Sequence, residues 1–102
     1  MAWKRTVEWT RSDVSVDLSE WSTDVMQHIS DNYDTPNKSK SFVISYSDDG
    51  LSETVTRIFE NEACRNEFIS DKIIIDESHK RDAVNISRGI SRSVIFDAEY
   101  VE

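Results

Sequence analysis

Two histidines and one cysteine are the side chains of this sequence best suited to acid–base, metal or nucleophilic chemistry. His28 lies four residues after Asp24 and three before Asp31, so on a helix the three could share a face and form a weak divalent-metal site. Metal sites usually need three or four ligands in a set geometry, and no second cluster in the sequence has ligand spacing. The spacing therefore favours an ion pair on a helix surface, and the sequence predicts neither a metal nor a cofactor.

Cys64 could act as a nucleophile with His79 or His28 as its base. Its neighbours, Glu-Ala-Cys-Arg-Asn, match no nucleophile signature, and Phe68 four residues later favours a small core residue. The chain has no Gly-x-Ser-x-Gly motif, and its two glycines cannot make a phosphate-binding loop. We therefore expect a domain without catalytic residues.

Aromatic side chains could instead line a ligand pocket between a sheet and its helices. The candidate lining residues are Trp3, Trp9, Tyr46, Phe59, His79 and Phe96. His79 would serve there as a base or ligand. The alternatives are core packing for Trp3 and Trp9, a hydrophobic contact at a helix start for Trp21, and a place at the core edge for His79.

Charge limits the partners of this 102-residue chain, which we expect to form one domain over residues 1–102. The net charge is -8 and is spread evenly over both halves, which disfavours nucleic acid and membrane surfaces as partners. The one basic cluster, Lys80, Arg81, Arg88 and Arg92, is interleaved with acidic residues and is typical of a solvated helix face. A single cysteine and the lack of a signal-peptide pattern lead us to expect a cytoplasmic protein.

Periodicity predicts four strands and two helices. Alternation of apolar residues indicates strands over residues 3–11, 41–47, 51–59 and 92–101, and Asp49-Gly50 is typical of a hairpin. Apolar residues four apart indicate a first helix ending near Tyr33 and a second between Asn61 and Arg88, which Ser70-Asp71 would interrupt. The β-branched run Ile73–Ile75 could be helix or strand. The order β-α-β-β-α-β predicts an α+β, ferredoxin-like fold, with a four-stranded antiparallel sheet and helices on one face.

Strand alternation also predicts the two faces of this sheet. The face under the helices would carry the aromatic and aliphatic residues Trp3, Val7, Trp9, Phe42, Ile44, Tyr46, Val55, Phe59, Val94, Phe96, Ala98 and Tyr100. The second helix would pack through Ile75, His79, Ala83, Ile86 and Ile90. The other sheet face would be rich in threonine and half apolar, which favours a symmetric homodimer but would also suit solvent or a mixed-polarity pocket.

Two resemblances follow from particular segments. The junction Thr56–Asn61 and the long helix before Gly89 resemble the dimeric α+β barrel group, which includes small monooxygenases of the antibiotic-biosynthesis type. That resemblance implies a closed pocket in which cofactor-free oxygenases bind aromatic substrates. The opening segment Thr6–Arg11 is similar to short uncharacterised proteins of tailed phages of marine cyanobacteria, which would place the protein in the host cytoplasm.

The sequence therefore predicts a non-catalytic, homodimeric interaction domain, in which the partner is a second copy or a host or viral protein. One alternative is a small-molecule binder or cofactor-free monooxygenase of the α+β barrel type. Another is an acidic inhibitor that mimics nucleic acid and binds a basic protein.

Overall fold

The computed structural model describes residues 1–101 and contains four strands and three helices. In chain order these are β1 (Ala2–Thr10), α1 (Thr23–Asn32), β2 (Ser39–Tyr46), β3 (Ser52–Phe59), α2 (Glu62–Ser70), α3 (Lys72–Ser87) and β4 (Ser91–Tyr100). The strands form one antiparallel sheet in the order β2-β3-β1-β4. The predicted α+β, ferredoxin-like fold is confirmed, with its second helix divided in two.

Side-chain caps set where each helix begins. Ser22 accepts a hydrogen bond from the N–H of residue 25 at the start of α1, and Asn61 does the same for residue 64 at the start of α2. Asp71 ends α2 and caps α3 by accepting from the amides of Ile73 and Ile74, at 3.0 and 3.4 Å. This cap explains why the β-branched run Ile73–Ile75 is helical.

Two clusters of buried side chains form the core, one between helices and one on the sheet. Val25 and Ile29 of α1 pack against Ile74 of α3, together with Tyr33, which directly follows α1. Val7 and Trp9 of β1 form a second cluster with Ile90, at the entry to β4. Phe59, which is 1% exposed, packs its ring 5.4 Å from that of Phe68. The helices thus cover the centre of the sheet, as the sequence predicts.

A β-bulge in β4 reverses the predicted facing of the strand's second half. Thr6 lies opposite Phe96 while Val7 lies opposite Val94, so Ile95 is an extra residue between them. Since side chains alternate strictly along a strand, the extra residue moves everything after it to the other face. The prediction that Phe96, Ala98 and Tyr100 share the helix-covered face is therefore wrong.

These side chains belong to the sheet face that carries no helix, which we call the open face. Its members, by register, are Ala2, Lys4, Thr6, Glu8, Val43, Thr54, Thr56, Ile58, Phe96, Ala98 and Tyr100. The ammonium group of Lys4 confirms the placement, because it lies 5.5 Å from the ring centroid of Phe96 and 5.0 Å from that of Tyr100.

The inward side of α3 also differs from the predicted apolar stripe. Ile86 is 74% exposed, and His79 and Ala83 are exposed as well. Turned toward the protein are Arg81, which is half-buried, and Asn85, which is 2% exposed. Both bind backbone groups of the segment that joins β1 to α1, so α3 packs partly through polar contacts.

No helix within residues 1–101 combines the length and the apolar character that a bilayer crossing requires.

Candidate functional site

A wall of two tryptophans and an arginine stands on the helix-covered side of the sheet. The guanidinium carbon of Arg81 lies 5.3 Å from the ring centroid of Trp9 and 4.3 Å from that of Trp21. Arg81 also donates through Nε and Nη2 to the carbonyl oxygen of Ser19, at 3.2 and 2.8 Å. These contacts hold the arginine between the rings, and we call the three side chains the Trp–Arg wall.

Beyond one side of the Trp–Arg wall lies a cavity of about 210 Å³, which we call the inner cavity. It lies between the strands β1 and β4 and the helices α2 and α3. Its apolar lining comes from Val7, Phe68, Ile69, Ile74 and Ile75. A volume of ~150 Å³ is enough to hold benzene, so the inner cavity suits a single small ring.

Positive charge dominates the ionisable lining of the inner cavity. Arg5, Arg81 and Arg92 line it, against the single carboxylate of Asp82. Burial lowers the pKa of Arg81, the carboxylates of Glu53, Asp82 and Glu77 oppose this effect, and Arg92 adds to it by repulsion. Burial likewise lowers the pKa of Arg5, Asp97 opposes this effect, and Arg92 adds to it. The three guanidinium groups therefore concentrate positive charge inside a protein whose net charge is -8.

Two buried N–H groups of residues that line the inner cavity have no hydrogen-bond partner among residues 1–101. They are Nε of Arg5 and the indole Nε1 of Trp9. The nearest carboxylate oxygen recorded for Arg5 Nε is Oδ2 of Asp97, which lies 3.8 Å away and beyond hydrogen-bond reach. Asp97 instead accepts hydrogen bonds from Trp3 and Arg65. Because buried donors are nearly always paired, these two N–H groups are exceptions in the wall of the cavity.

On the other side of the Trp–Arg wall lies an open groove of about 820 Å³, which we call the outer groove. Its floor includes Phe42, Ile44 and Tyr46 of β2, which are 46%, 47% and 62% exposed. Its rim comes from the segment between β1 and α1 and from Met26 of α1, which is 56% exposed. These β2 side chains lie on the helix-covered face by register, yet no helix buries them.

The structure brings three of the six residues predicted for a pocket to these cavities. Trp9 lines both, His79 lines the inner cavity, and Tyr46 lines the outer groove. His79 is exposed, so it lies at the mouth of the inner cavity rather than in its interior.

The other three predicted residues line neither cavity. Trp3 donates its indole N–H to Asp97. Phe59 is a core residue with 1% exposure. Phe96 lies on the open face because of the bulge at Ile95.

Sequence reasoning missed the arginines of the inner cavity. Alternation places Arg5 on the same face as Val7 and Trp9, so its inward position could have been read from the strand pattern. Arg81 and Arg92 were assigned to a solvated helix face because acidic residues surround them in sequence. That assignment is wrong for Arg81, which is half-buried in the Trp–Arg wall, and Arg92 lies on β4.

The remaining candidates for chemistry have structural partners. His28 Nε2 lies 2.7 Å from Oδ2 of Asp71, and Tyr33 donates its hydroxyl to the same oxygen at 2.7 Å. Burial raises the pKa of Asp71, but these two hydrogen bonds outweigh it and leave the pKa below its usual value. Asp31 accepts a hydrogen bond from Gln27, four residues earlier on α1. The aspartate at 71 thus ties α1 to the start of α3.

Cys64 is buried in α2, with its sulfur 3.6 Å from a backbone carbonyl oxygen. Within residues 1–101, no group of three or more histidine, cysteine, aspartate or glutamate side chains could hold a metal ion.

Comparison with known proteins identifies a structural neighbour. No family model matches the sequence, and no curated protein matches it. Among solved structures, the chain is similar to Rv0793 from Mycobacterium tuberculosis, with a TM-score of 0.54 and 12% sequence identity. The match covers 98% of this chain and 97% of that one. At this identity the likeness supports the fold, and it carries no assignment of activity.

Proposed function

We propose that the protein binds a small, largely apolar molecule on the helix-covered side of its sheet. The observation that carries this proposal is the outer groove, where Phe42, Ile44 and Tyr46 face the helices' side and remain uncovered. A volume of about 820 Å³ lies within the range of small-molecule sites.

The exposed side chains on the floor of the groove favour contact with an apolar ligand, and charged residues such as Arg11, Glu20 and Glu53 line the rest of it. Complete burial of an isoleucine or phenylalanine side chain is worth about 1.5–3 kcal/mol. Since Phe42 and Ile44 are each nearly half exposed, a ligand that covers both would recover about 1 kcal/mol from each. Trp9 and Trp21 add aromatic surface at the wall, and their rings favour offset or edge contacts with an aromatic ligand.

Two neighbouring residues of β2 supply a matched test. Ile44 lines the outer groove, whereas Val43 belongs to the open face, and the two are 47% and 56% exposed. We expect the uncharged fluorophore N-phenyl-1-naphthylamine to bind the wild-type protein with an emission increase. Ile44→Ser should weaken this binding several-fold, and Val43→Ser should leave it unchanged. Equal binding by all three proteins would place the probe elsewhere and contradict the proposal.

A second proposal is that two copies of the chain form a homodimer through the open face, as the sequence predicts. Val43 is 56% exposed and Phe96 is 41% exposed, so this face presents apolar surface to a partner. Lys4 and Glu8 flank Thr6 at equal distances along β1. A two-fold axis in the interface, perpendicular to β1 at Thr6, would set each lysine over the glutamate of the second copy. This charge complementarity favours a second copy of the chain as the partner.

Sedimentation velocity at micromolar concentration tests the dimer. We expect a dimer for the wild-type protein and a monomer for Phe96→Glu, which places a charge in the apolar part of the open face. Ile86→Glu makes the same kind of change on α3, where the side chain is 74% exposed, and should remain dimeric. A wild-type monomer under these conditions would contradict the proposal.

Three narrower roles stay predictions. A cofactor-free monooxygenase of the α+β barrel type would use the same cavities. A phage accessory protein, acting on a host or viral protein in the host cytoplasm, rests on the likeness of Thr6–Arg11 alone. An acidic inhibitor of a nucleic-acid-binding protein rests on the net charge of -8, and its complex should dissociate with salt.

A further inference from the structure

We propose that the inner cavity is a carboxylate subsite, so the ligand is a small monocyclic acid whose charged group lies among Arg5, Arg92 and the Trp9 indole. This inference rests on the proposed function, because it assigns a chemical class to the molecule bound on the helix-covered side.

The charge around the inner cavity is the first argument. Arg5, Arg81 and Arg92 line it together with one carboxylate, Asp82, and Arg5 also forms an ion pair with Asp97 at 3.8 Å. The positive charge of Arg92 lowers the pKa of both Arg5 and Arg81, so its guanidinium group lies close enough to act on each. Carboxylates act in the opposite direction, Asp97 on Arg5 and chiefly Glu53 on Arg81. Because Arg92 has no carboxylate within ion-pair distance among residues 1–101, a bound carboxylate would supply a counter-charge to it.

The unpaired donors are the second argument. Nε of Arg5 and Nε1 of Trp9 are buried without a hydrogen-bond partner among residues 1–101. Arg92 has no carboxylate within ion-pair distance in that part of the chain, although its guanidinium lies 5.9 Å from the Trp9 ring centroid. A carboxylate is an acceptor at both oxygens and has no donor of its own, so it satisfies groups of this kind.

The apolar lining and the volume are the third argument. Val7, Phe68 and Ile74 would surround the rest of the ligand with hydrocarbon. A volume of about 210 Å³ admits a benzene-sized ring with its acid group. A free inorganic anion would leave this apolar surface uncovered, and for this reason the structure favours an acid with an apolar ring.

Benzoate and benzamide form a matched probe pair, because they share shape and differ in charge. Titration calorimetry of the purified protein should detect benzoate binding at millimolar concentration, and benzamide should bind at least tenfold more weakly, about the effect of one charge-assisted hydrogen bond. Raising the salt concentration should weaken benzoate binding. Arg92→Gln, at an exposed position of β4, should weaken benzoate binding about tenfold and leave benzamide unaffected.

Lys80→Gln is the control. It also removes one positive charge, but from α3, and Lys80 lines neither cavity. Equal affinities for benzoate and benzamide would overturn the carboxylate subsite and leave the proposed binding function standing. The same conclusion would follow if N-phenyl-1-naphthylamine bound and both smaller probes did not. Failure of all three probes would overturn the subsite and the proposed function together. An equal loss in Arg92→Gln and Lys80→Gln would also overturn the subsite, because it would indicate a general charge effect.

Discussion

Replacing Arg81 with methionine tests whether the Trp–Arg wall is a stabilising part of the fold. Methionine keeps a flexible stem of similar length and removes the guanidinium group. The change deletes both hydrogen bonds to Ser19 and the contacts with the rings of Trp9 and Trp21. It also leaves the carbonyl oxygen of Ser19 without these charged donors.

The expected loss of stability follows from these contacts. A hydrogen bond from a charged donor contributes about 1.5–3 kcal/mol, and cation–π contacts of a half-buried arginine contribute about 1 kcal/mol. Burial of the arginine works in the opposite direction, as its lowered pKa indicates, so part of this gain is offset. We expect the free energy of unfolding to fall by about 2 kcal/mol, which corresponds to a drop in Tm of roughly 10 °C for a domain of this size.

Urea denaturation followed by circular dichroism measures this change. Arg88→Met is the matched control, because Arg88 also donates to a backbone oxygen, that of Asp17 at 2.8 Å, but is exposed and does not stack on a ring. The control should change the free energy of unfolding by no more than about 0.5 kcal/mol. If Arg81→Met were as stable as the wild type, or destabilised no more than the control, the account of the wall as a structural partition would be refuted.

Two further predictions concern the core and acid stability. Phe59→Ala should cost about 3–5 kcal/mol in urea denaturation, because a fully buried ring against Phe68 is replaced by a cavity, and an unchanged midpoint would show that the ring is not buried. Burial raises the pKa of Asp97, but hydrogen bonds from Arg65 and Trp3 outweigh it and leave the pKa below the ordinary value of 3.8. The resulting stabilisation is complete above that value and is lost as pH falls through the lower, folded-state pKa, so Asp97→Asn should weaken the dependence of stability on pH below about pH 4. Identical acid unfolding curves for the variant and the wild type would contradict this assignment.

The strand pattern made most of the fold predictable. Trp3, Val7 and Trp9 alternate along β1, and the Asp-Gly pair ahead of β3 marks its hairpin, where Gly50 adopts a φ of 74°. The interruption at Asp71 was also visible, since aspartate is a good cap. These signals are local, so they can be interpreted from the sequence without knowledge of the tertiary contacts.

The features that the sequence did not predict depend on contacts between residues that are distant in sequence. Nothing in the sequence around Ile95 marks a bulge, because the extra residue is defined only by pairing with β1. The packing of α3 through Arg81 and Asn85 depends on backbone groups near Ser19, more than sixty residues away. An apolar stripe is therefore a poor guide to the buried side of a helix whose inward contacts are partly polar.

The sequence did not predict the outer groove, for a related reason. Phe42, Ile44 and Tyr46 alternate as a buried strand would, yet burial depends on whether a helix extends over the edge of the sheet. Alternation shows on which face of the sheet a side chain lies, whereas the length and position of α1 decide whether a helix covers that side chain.

The most direct measurement of the central claim is a titration of the ¹⁵N-labelled protein with N-phenyl-1-naphthylamine and then benzoate, followed through the three tryptophan indole N–H signals. Trp9 and Trp21 belong to the wall between the inner cavity and the outer groove, whereas Trp3 lines neither and is bound to Asp97. We predict that the signals of Trp9 and Trp21 shift in a saturable manner and that the signal of Trp3 stays in place. Movement of the Trp3 signal alone, or no movement of the other two at saturating probe, would contradict a ligand site on the helix-covered side of the sheet.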